Sequence, residues 1–341
     1  MDTILFLAHT EQDGQLPRAA LEALGAARQL AVATKGQLVL GLFGAATAPA
    51  AAQLGGSGAV KVLAVTSPDL AQARYASDAA AAEALAKAAA PSIVVAPATS
   101  RLARVLPGVA HRLGGKVDTH ITALAAQDGS PVVTRWFYRQ RMEATLKRTA
   151  RPWVLLVDPG TQVAFQADGA APALEAVALT LSDAQKRTRV KGLRAPKSDA
   201  QTIRPDAKVL FVAGAGWTKK QVDGKPHVEE AAKLILDFIG KAQASLGSSK
   251  SLADLSGEGN QVLSFLSHMN QIGQTGATPR HPKGLATCCH GEEPHVVGWR
   301  FINERRAVNL DPSCGWARGK ADVLYVADAF AVMQKVNALL K

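Results

Sequence analysis

Residues 1–43 read MDTILFLAHTEQDGQLPRAALEALGAARQLAVATKGQLVLGLF, and the spacing of their apolar residues decides the fold. Ile4–Ala8 is an unbroken apolar run of strand length. A polar turn with Glu11, Asp13 and Gly14 follows. Pro17 then opens a stretch to Ala33 with apolar residues at helical spacing, and proline is tolerated in a first helical turn. Gln37–Phe43 is a second apolar run. Strand, helix and strand in this order make a βαβ unit. Continuous rather than alternating apolar strands suit a parallel sheet buried on both faces.

The same alternation continues outward. Lys61–Val65 and Ile93–Ala96 read as strands, Ser77–Ala89 as a helix stopped by Pro91, and Arg101–Leu113 as a helix ended by Gly114 and Gly115. From Val132 the pattern changes: PVVTRWFYRQRMEATLKRT alternates apolar and polar residues, as antiparallel or edge strands do, and Trp153–Val157 is a further strand. Residues 183–207 are polar and basic, carry Pro196 and Pro205, and show no apolar period, which predicts a linker. The alternation then restarts with a strand at Val209–Ala213, a helix over His227–Ile239, a strand at Val323–Val326 and a helix from Ala329 to Leu340. The expected fold is α/β in two domains, each a mostly parallel sheet flanked by helices, the second doubly wound. The boundaries read as 1–185, a basic linker over 186–207, and 208–341.

Composition narrows the function classes. Of 341 residues, 48% are apolar and 20% charged, which excludes a wholly disordered chain. The three cysteines, Cys288, Cys289 and Cys314, are too few and odd in number for a disulfide scaffold, so a reducing, cytoplasmic setting is expected. The opening residues carry no basic leader, and no run of about 18 apolar residues predicts a membrane span. The formal net charge of +11 is concentrated at 186–225 and at 135–151, where a solvated linker and a charged strand face are the plain readings. Aromatics are scarce and no RNA- or DNA-binding pattern occurs, so no nucleic-acid partner is expected. No nucleophile elbow or zinc-protease motif is present, and no substrate reaction is expected of this chain alone.

Four segments carry chemical possibilities. Gly214-Ala215-Gly216 follows a strand, where backbone N–H groups meet phosphates, or where a plain tight turn forms. Residues 270–276, NQIGQTG, form either a ligand loop with Gln274 and Thr275 or an ordinary turn. His281, Cys288, Cys289, His290 and His295, with Cys314 further on, suggest a metal or cluster site, although the spacing matches no C-x-x-C pattern; buried packing of the cysteine pair is the alternative. Asn309 and Asp311 in VNLDP shape a turn or address a ribose or adenine.

Taken in order, these segments resemble the alpha subunit of electron transfer flavoproteins, the FixB-like family, over nearly the whole chain. The opening ILFLAHTEQDGQLPRAALEALGAARQL, the segment ATSRLARVLPGVAHRLGGKVDT and the strands from Arg135 to Val157 follow the family's first half. QIGQTG, HGEEPHVVG, AVNLDP and ADVLYVAD follow its second half in family order. The resemblance implies non-covalent FAD held mainly by the C-terminal domain and a beta subunit partner contacted by the N-terminal domain. It also implies one-electron carriage from a flavin dehydrogenase towards a quinone-reducing acceptor. It places Gly214 in the phosphate turn, Ser249 on the pyrophosphate and Lys250 over the isoalloxazine ring. It places Thr275 near the flavin N5, with Gly273, Gln274 and Gly276 shaping the loop. His295 falls near the C2 carbonyl, where a donor stabilises charge on N1 and O2. Gly291 lies beside the pyrophosphate, and Asn309 and Asp328 at the adenosine end.

The chain departs from the family pattern at several of these positions. The family's S-G-G-R-G turn is Ala213-Gly214-Ala215-Gly216-Trp217 here, without its phosphate-binding arginine. The family's paired arginine is Lys250, which lacks the planar fork. Its G-I-S-G is Cys288-Cys289-His290-Gly291, and the glutamine before the ring histidine is Pro294. His290, Lys219, Arg280 or Lys283 are the candidates to supply the missing charge. Two other readings stand beside the carrier: a docking subunit of a larger redox assembly with an altered flavin site, and a metal- or cluster-binding redox protein.

Overall fold

The computed structural model describes residues 2–138, 142–192, 203–204, 206–249, 251–252, 262–272, 278, 280–287, 302–312 and 321–340. The chain divides into two compact units, Met1–Leu193 and Arg194–Lys341.

The first unit is built on β1 (Thr3–His9), β2 (Gln37–Gly44), β3 (Lys61–Thr66), β4 (Ile93–Pro97), β5 (Lys116–Gln127), β6 (Ser130–Phe137), β7 (Met142–Leu146), β8 (Trp153–Val157) and β9 (Glu175–Ala176). These form one sheet in the order β7-β6-β5-β8-β4-β1-β2-β3-β9. It is parallel from β5 to β9, and antiparallel where β6 pairs with β5 and with β7. The helices are α1 (Arg18–Thr34), α2 (Tyr75–Ala89), α3 (Ser100–Arg112) and the one-turn α4 (Asp183–Lys186).

The continuous apolar strands have a simple physical cause. Side chains alternate along a strand, so Ile4, Phe6 and Ala8 of β1 pack with Ala23, Leu24, Ala27 and Leu30 of α1 on one face. Leu5 and Leu7 pack with Ala82 and Leu85 of α2 and Leu102 and Val105 of α3 on the other. Both faces are dry, so every position must be apolar. Each helix ends where the sequence indicates. Lys35 and Ala90 close α1 and α2 in the left-handed conformation, and Thr99 opens α3 by accepting a hydrogen bond from the Leu102 N–H.

The second unit carries β10 (Val209–Ala213), β11 (Ser245–Ser248), β12 (His281–Thr287), β13 (Ile302–Asn309) and β14 (Val323–Val326), with α5 (Val228–Ala242) and α6 (Ala329–Leu339). The sheet is wholly parallel, in the order β11-β10-β12-β13-β14. Phe211, Ala213, Leu246 and Val308 face α5 and α6 with Ile235, Phe238 and Met333, and Leu210, Val212 and Ala307 face the opposite side. This is the expected α/β architecture. Among the described residues, no helix is long and apolar enough to cross a membrane.

Candidate functional site

In an open parallel sheet, ligands bind outside the carboxyl ends of the strands, where the strand order reverses. In the second unit the chain goes from β10 outward to β11 and back to β12, so the reversal lies between β10 and β12. Gly214 follows β10 directly, and its N–H donates to the Thr287 carbonyl at the end of β12, at 2.9 Å. Ser249 follows β11 and donates its N–H to the Ala213 carbonyl at 2.9 Å, while its Oγ accepts from the Leu252 N–H at 3.3 Å. Asn309 ends β13, and Asp328 follows β14, accepting from the Ala331 N–H at 2.8 Å to cap α6. The four described candidates therefore all lie along one carboxyl edge. Lys250, Gly273, Gln274, Thr275, Gly276, His290, Gly291 and His295 lie outside the described residues.

Gln271 and Ile272, which precede Gly273 in the sequence, lie at this edge. Ser248 bridges Gln271 in parallel pairing, and the Ile272 N–H donates to the Ser248 carbonyl at 3.2 Å. Gly247 makes the approach possible, since a Cβ there would lie 2.3 Å from Ile272 Cδ1.

Three buried polar atoms on this edge have no hydrogen-bond partner among the described residues: Ser248 Oγ, Gln271 Oε1 and Asn309 Nδ2. Each residue is at least nine-tenths buried. A buried polar group left unpaired costs about 1–3 kcal/mol, so three on one edge is an expensive arrangement for a bare fold. The set comprises an acceptor, a donor and a hydroxyl that serves as either. Ribose hydroxyls and phosphate oxygens complement such a set. The described residues thus fit the dinucleotide that the resemblance implies.

Sequence reasoning singled out Asn309 but gave no role to Ser248, which directly precedes Ser249, or to Gln271, which lies inside NQIGQTG. It also noted Trp217 only as a departure from the family turn. In the structure Ala215–Thr218 form a 3-10 turn, and the Trp217 indole is fully buried. Its Nε1 donates to Thr287 Oγ1 at 2.8 Å, and its ring lies 4.6 Å from the Phe330 ring centroid. The turn is anchored from below by an indole at the strand-order reversal, a role unrelated to the family's guanidinium.

His281 is the described member of the Cys/His group, and it is committed elsewhere. It is buried at the start of β12, with Nε2 2.9 Å from both Ser245 Oγ and the Arg204 carbonyl. Cys288, Cys289, His290, His295 and Cys314 lie outside the described residues.

The first unit has a second strand-order reversal, between β1 and β4. His9 ends β1 there, with Nε2 3.2 Å from Thr99 Oγ1. Burial first, and the Arg101 charge second, push the His9 imidazole below its ordinary value. Arg101 forks onto fully buried Asp78 at 2.9 and 2.7 Å and lies over the Phe43 ring.

Residues 4–182 match the family described as Electron transfer flavoprotein domain. The chain is similar to Protein FixB of Clostridium saccharobutylicum, with 26% identity over 337 residues, covering 96% of this chain and 92% of the relative. It is similar to the Electron transfer flavoprotein subunit alpha of Clostridium acetobutylicum, again at 26% identity, covering 97% of this chain and 95% of the relative.

Proposed function

The chain belongs to the electron transfer flavoprotein domain family, and from that membership we propose that it is the alpha subunit of a heterodimeric electron transfer flavoprotein. The second unit holds FAD along its carboxyl edge, and a beta subunit completes the carrier. The pair works in the cytoplasm between a flavin dehydrogenase and a quinone-reducing acceptor, and this chain converts no substrate of its own.

The observation that carries the reading is the trio of unpaired buried atoms, Ser248 Oγ, Gln271 Oε1 and Asn309 Nδ2. FAD, when bound, supplies the capacity to accept and release electrons singly. The chain's own residues supply position. Asn309 Nδ2 would donate to an acceptor at the adenosine end, Gln271 Oε1 would accept from a hydroxyl, and Ser248 Oγ would serve as donor or acceptor beside β11. Gly214 and Gly291 would leave room for the pyrophosphate, Ser249 and Lys250 would address it and the ring, and Gly273, Gln274, Thr275 and Gly276 would meet the flavin. His290 replaces part of the positive charge lost with the family's arginine, and His295 donates at the pyrimidine end of the ring.

Co-expression with the beta subunit tests this directly. The expected result is a yellow complex that releases about one FAD per heterodimer on heating and bleaches with a donor dehydrogenase. A colourless complex indifferent to added FAD overturns it. A second reading has one observation in its favour: the indole-anchored turn at Trp217 without a guanidinium suits a docking subunit whose flavin site has changed. Stoichiometric FAD release eliminates that alternative.

A further inference from the structure

We propose that the first unit carries a separate binding site for a phosphate-bearing anion, in a cleft of about 430 Å³ beside the antiparallel extension of its sheet. The cleft is walled by Lys116 at the start of β5, Ser130 at the start of β6, and Lys147, Arg148, Thr149 and Arg151 in the β7–β8 connection. Four cations line it, and no carboxylate does among the described residues.

The charge is not balanced from behind. Asp118, which holds Arg148, is buried and fully engaged. Its carboxylate accepts from Arg135 Nη1 at 2.8 Å, from Arg148 Nη2 at 2.9 Å and through Arg148 Nε, and from the Trp153 indole at 2.8 Å. One carboxylate thus offsets two guanidiniums, and Lys116, Lys147 and Arg151 form no ion pair with any described residue. The arrangement is also held in place. Asp118 fixes Arg148 through Nε and Nη2, so its Nη1 is available. Arg151 Nη1 donates to the carbonyls of Arg148 and Ala150 at 2.5 and 3.1 Å, which shapes the connection from within.

Fixed guanidinium donors, two uncommitted ammonium groups and two hydroxyls, at Ser130 and Thr149, are the donor set of a phosphate site. The volume suits a small ligand rather than a flat protein contact. Among the described residues no aromatic side chain lines the cleft to stack a base, so the phosphate is the recognised part. It belongs either to a free phosphorylated molecule or to a lipid headgroup. This site stands apart from the flavin reading and does not depend on it.

The test uses the full chain with its beta subunit and inorganic pyrophosphate as the probe. Lys116 and Lys147 are exposed and their ammonium groups have no partner among the described residues, so Lys116→Gln with Lys147→Gln is expected to leave folding intact. Calorimetric titration at fixed ionic strength is expected to show saturable binding that weakens at least about tenfold in the double variant. A parallel arm measures co-sedimentation with vesicles containing an anionic phospholipid. Loss of pyrophosphate binding in the variant supports the site with a free ligand, and loss of vesicle binding alone supports it with a headgroup. Pyrophosphate and vesicle binding that are both absent, or both unchanged in the variant, overturn it. A variant whose sole defect is weaker association with the beta subunit also overturns it, since the cleft would then be a protein contact.

Discussion

Asn309→Leu separates a functional polar atom from a structural one. Asn309 is 4% exposed at the end of β13, and its Nδ2 has no partner. Its Oδ1 accepts only a long hydrogen bond from the Asp311 N–H, at 3.5 Å. Leucine is close in shape and removes both atoms. Losing the unpaired donor relieves about 1–3 kcal/mol, and losing the weak acceptor costs about 0.5–1 kcal/mol. The flavin-free chain is therefore expected to gain about 1 kcal/mol. If the donor serves the adenosine end of FAD, the same change removes a ligand contact, and FAD affinity is expected to fall about tenfold. Gained stability and lost affinity from one substitution is an unusual pairing, and packing alone predicts the reverse.

Hydrogen exchange of β13 peptides from the flavin-free protein reads the local stability, since a chain of two units need not unfold in one step. Flavin fluorescence during titration reads the affinity. A variant that exchanges faster than the parent without flavin, or that binds FAD as tightly, refutes the reasoning.

Three further outcomes are expected. Asp118→Ala strands Arg135, Arg148 and the Trp153 indole and is expected to cost about 3–5 kcal/mol in urea melts. Burial alone would raise the Asp118 carboxyl, but the hydrogen bonds from Arg148 and Trp153 hold it below 3.8; its contribution is thus intact above that pH and lost below it, so the variant's acid melt is expected to be the flatter one. His9 is pushed down by burial and by Arg101, so stability is full above pH 6.5 and erodes as pH falls through and below it; His120 is raised by its hydrogen bond to Asp158, so its contribution is full below pH 6.5 and fades above. His9→Gln and His120→Gln are expected to remove these opposite slopes from thermal melts taken across pH 5–8, and a slope that survives its substitution contradicts the assignment. Trp217→Phe keeps the ring against Phe330 but removes the donor to Thr287, and is expected to cost about 1–2 kcal/mol without altering β1–β9 exchange.

What the sequence made legible follows from burial. β1, β2, β3, β4 and β8 stood out because both faces are covered and their central positions are apolar. The antiparallel pair β6–β7 stood out because one face is wet. β5 did not. It alternates exposed and half-buried residues and is interrupted by Asp118 and His120, at an irregularity in its pairing with β8. β12, HPKGLAT, was read as part of a Cys/His cluster because Pro282, Lys283 and Gly284 break any apolar run. Its core is filled from next door: a Cβ at Gly284 would lie 2.5 Å from Ile302 Cδ1. The order of motifs pointed to the carboxyl edge of the second sheet. It could not show that Ser248, Gln271 and Asn309 lack partners, because an unpaired atom is a property of the neighbours and not of the residue.

The two sheets make a natural control for one another. Both are open and mostly parallel, and each reverses its strand order beside its first strand, so strand geometry alone predicts a ligand crevice at each carboxyl edge. Their polar atoms decide between them. At the first reversal His9 lies within hydrogen-bond reach of Thr99, Thr10 donates its hydroxyl to the Ala46 carbonyl at 2.7 Å, and Arg101 is matched to Asp78. A ligand there would have to displace bonds already made. At the second edge three buried atoms are left unmatched, and a ligand would form new bonds without breaking old ones. The family match lies over residues 4–182, in the unit with the satisfied reversal, while the atoms suited to a cofactor lie beyond it. The family match and the unmatched buried atoms thus lie in different halves of the chain. Substitutions at His9 or Asp78 should therefore register as stability, and substitutions at Ser248, Gln271 or Asn309 as flavin content.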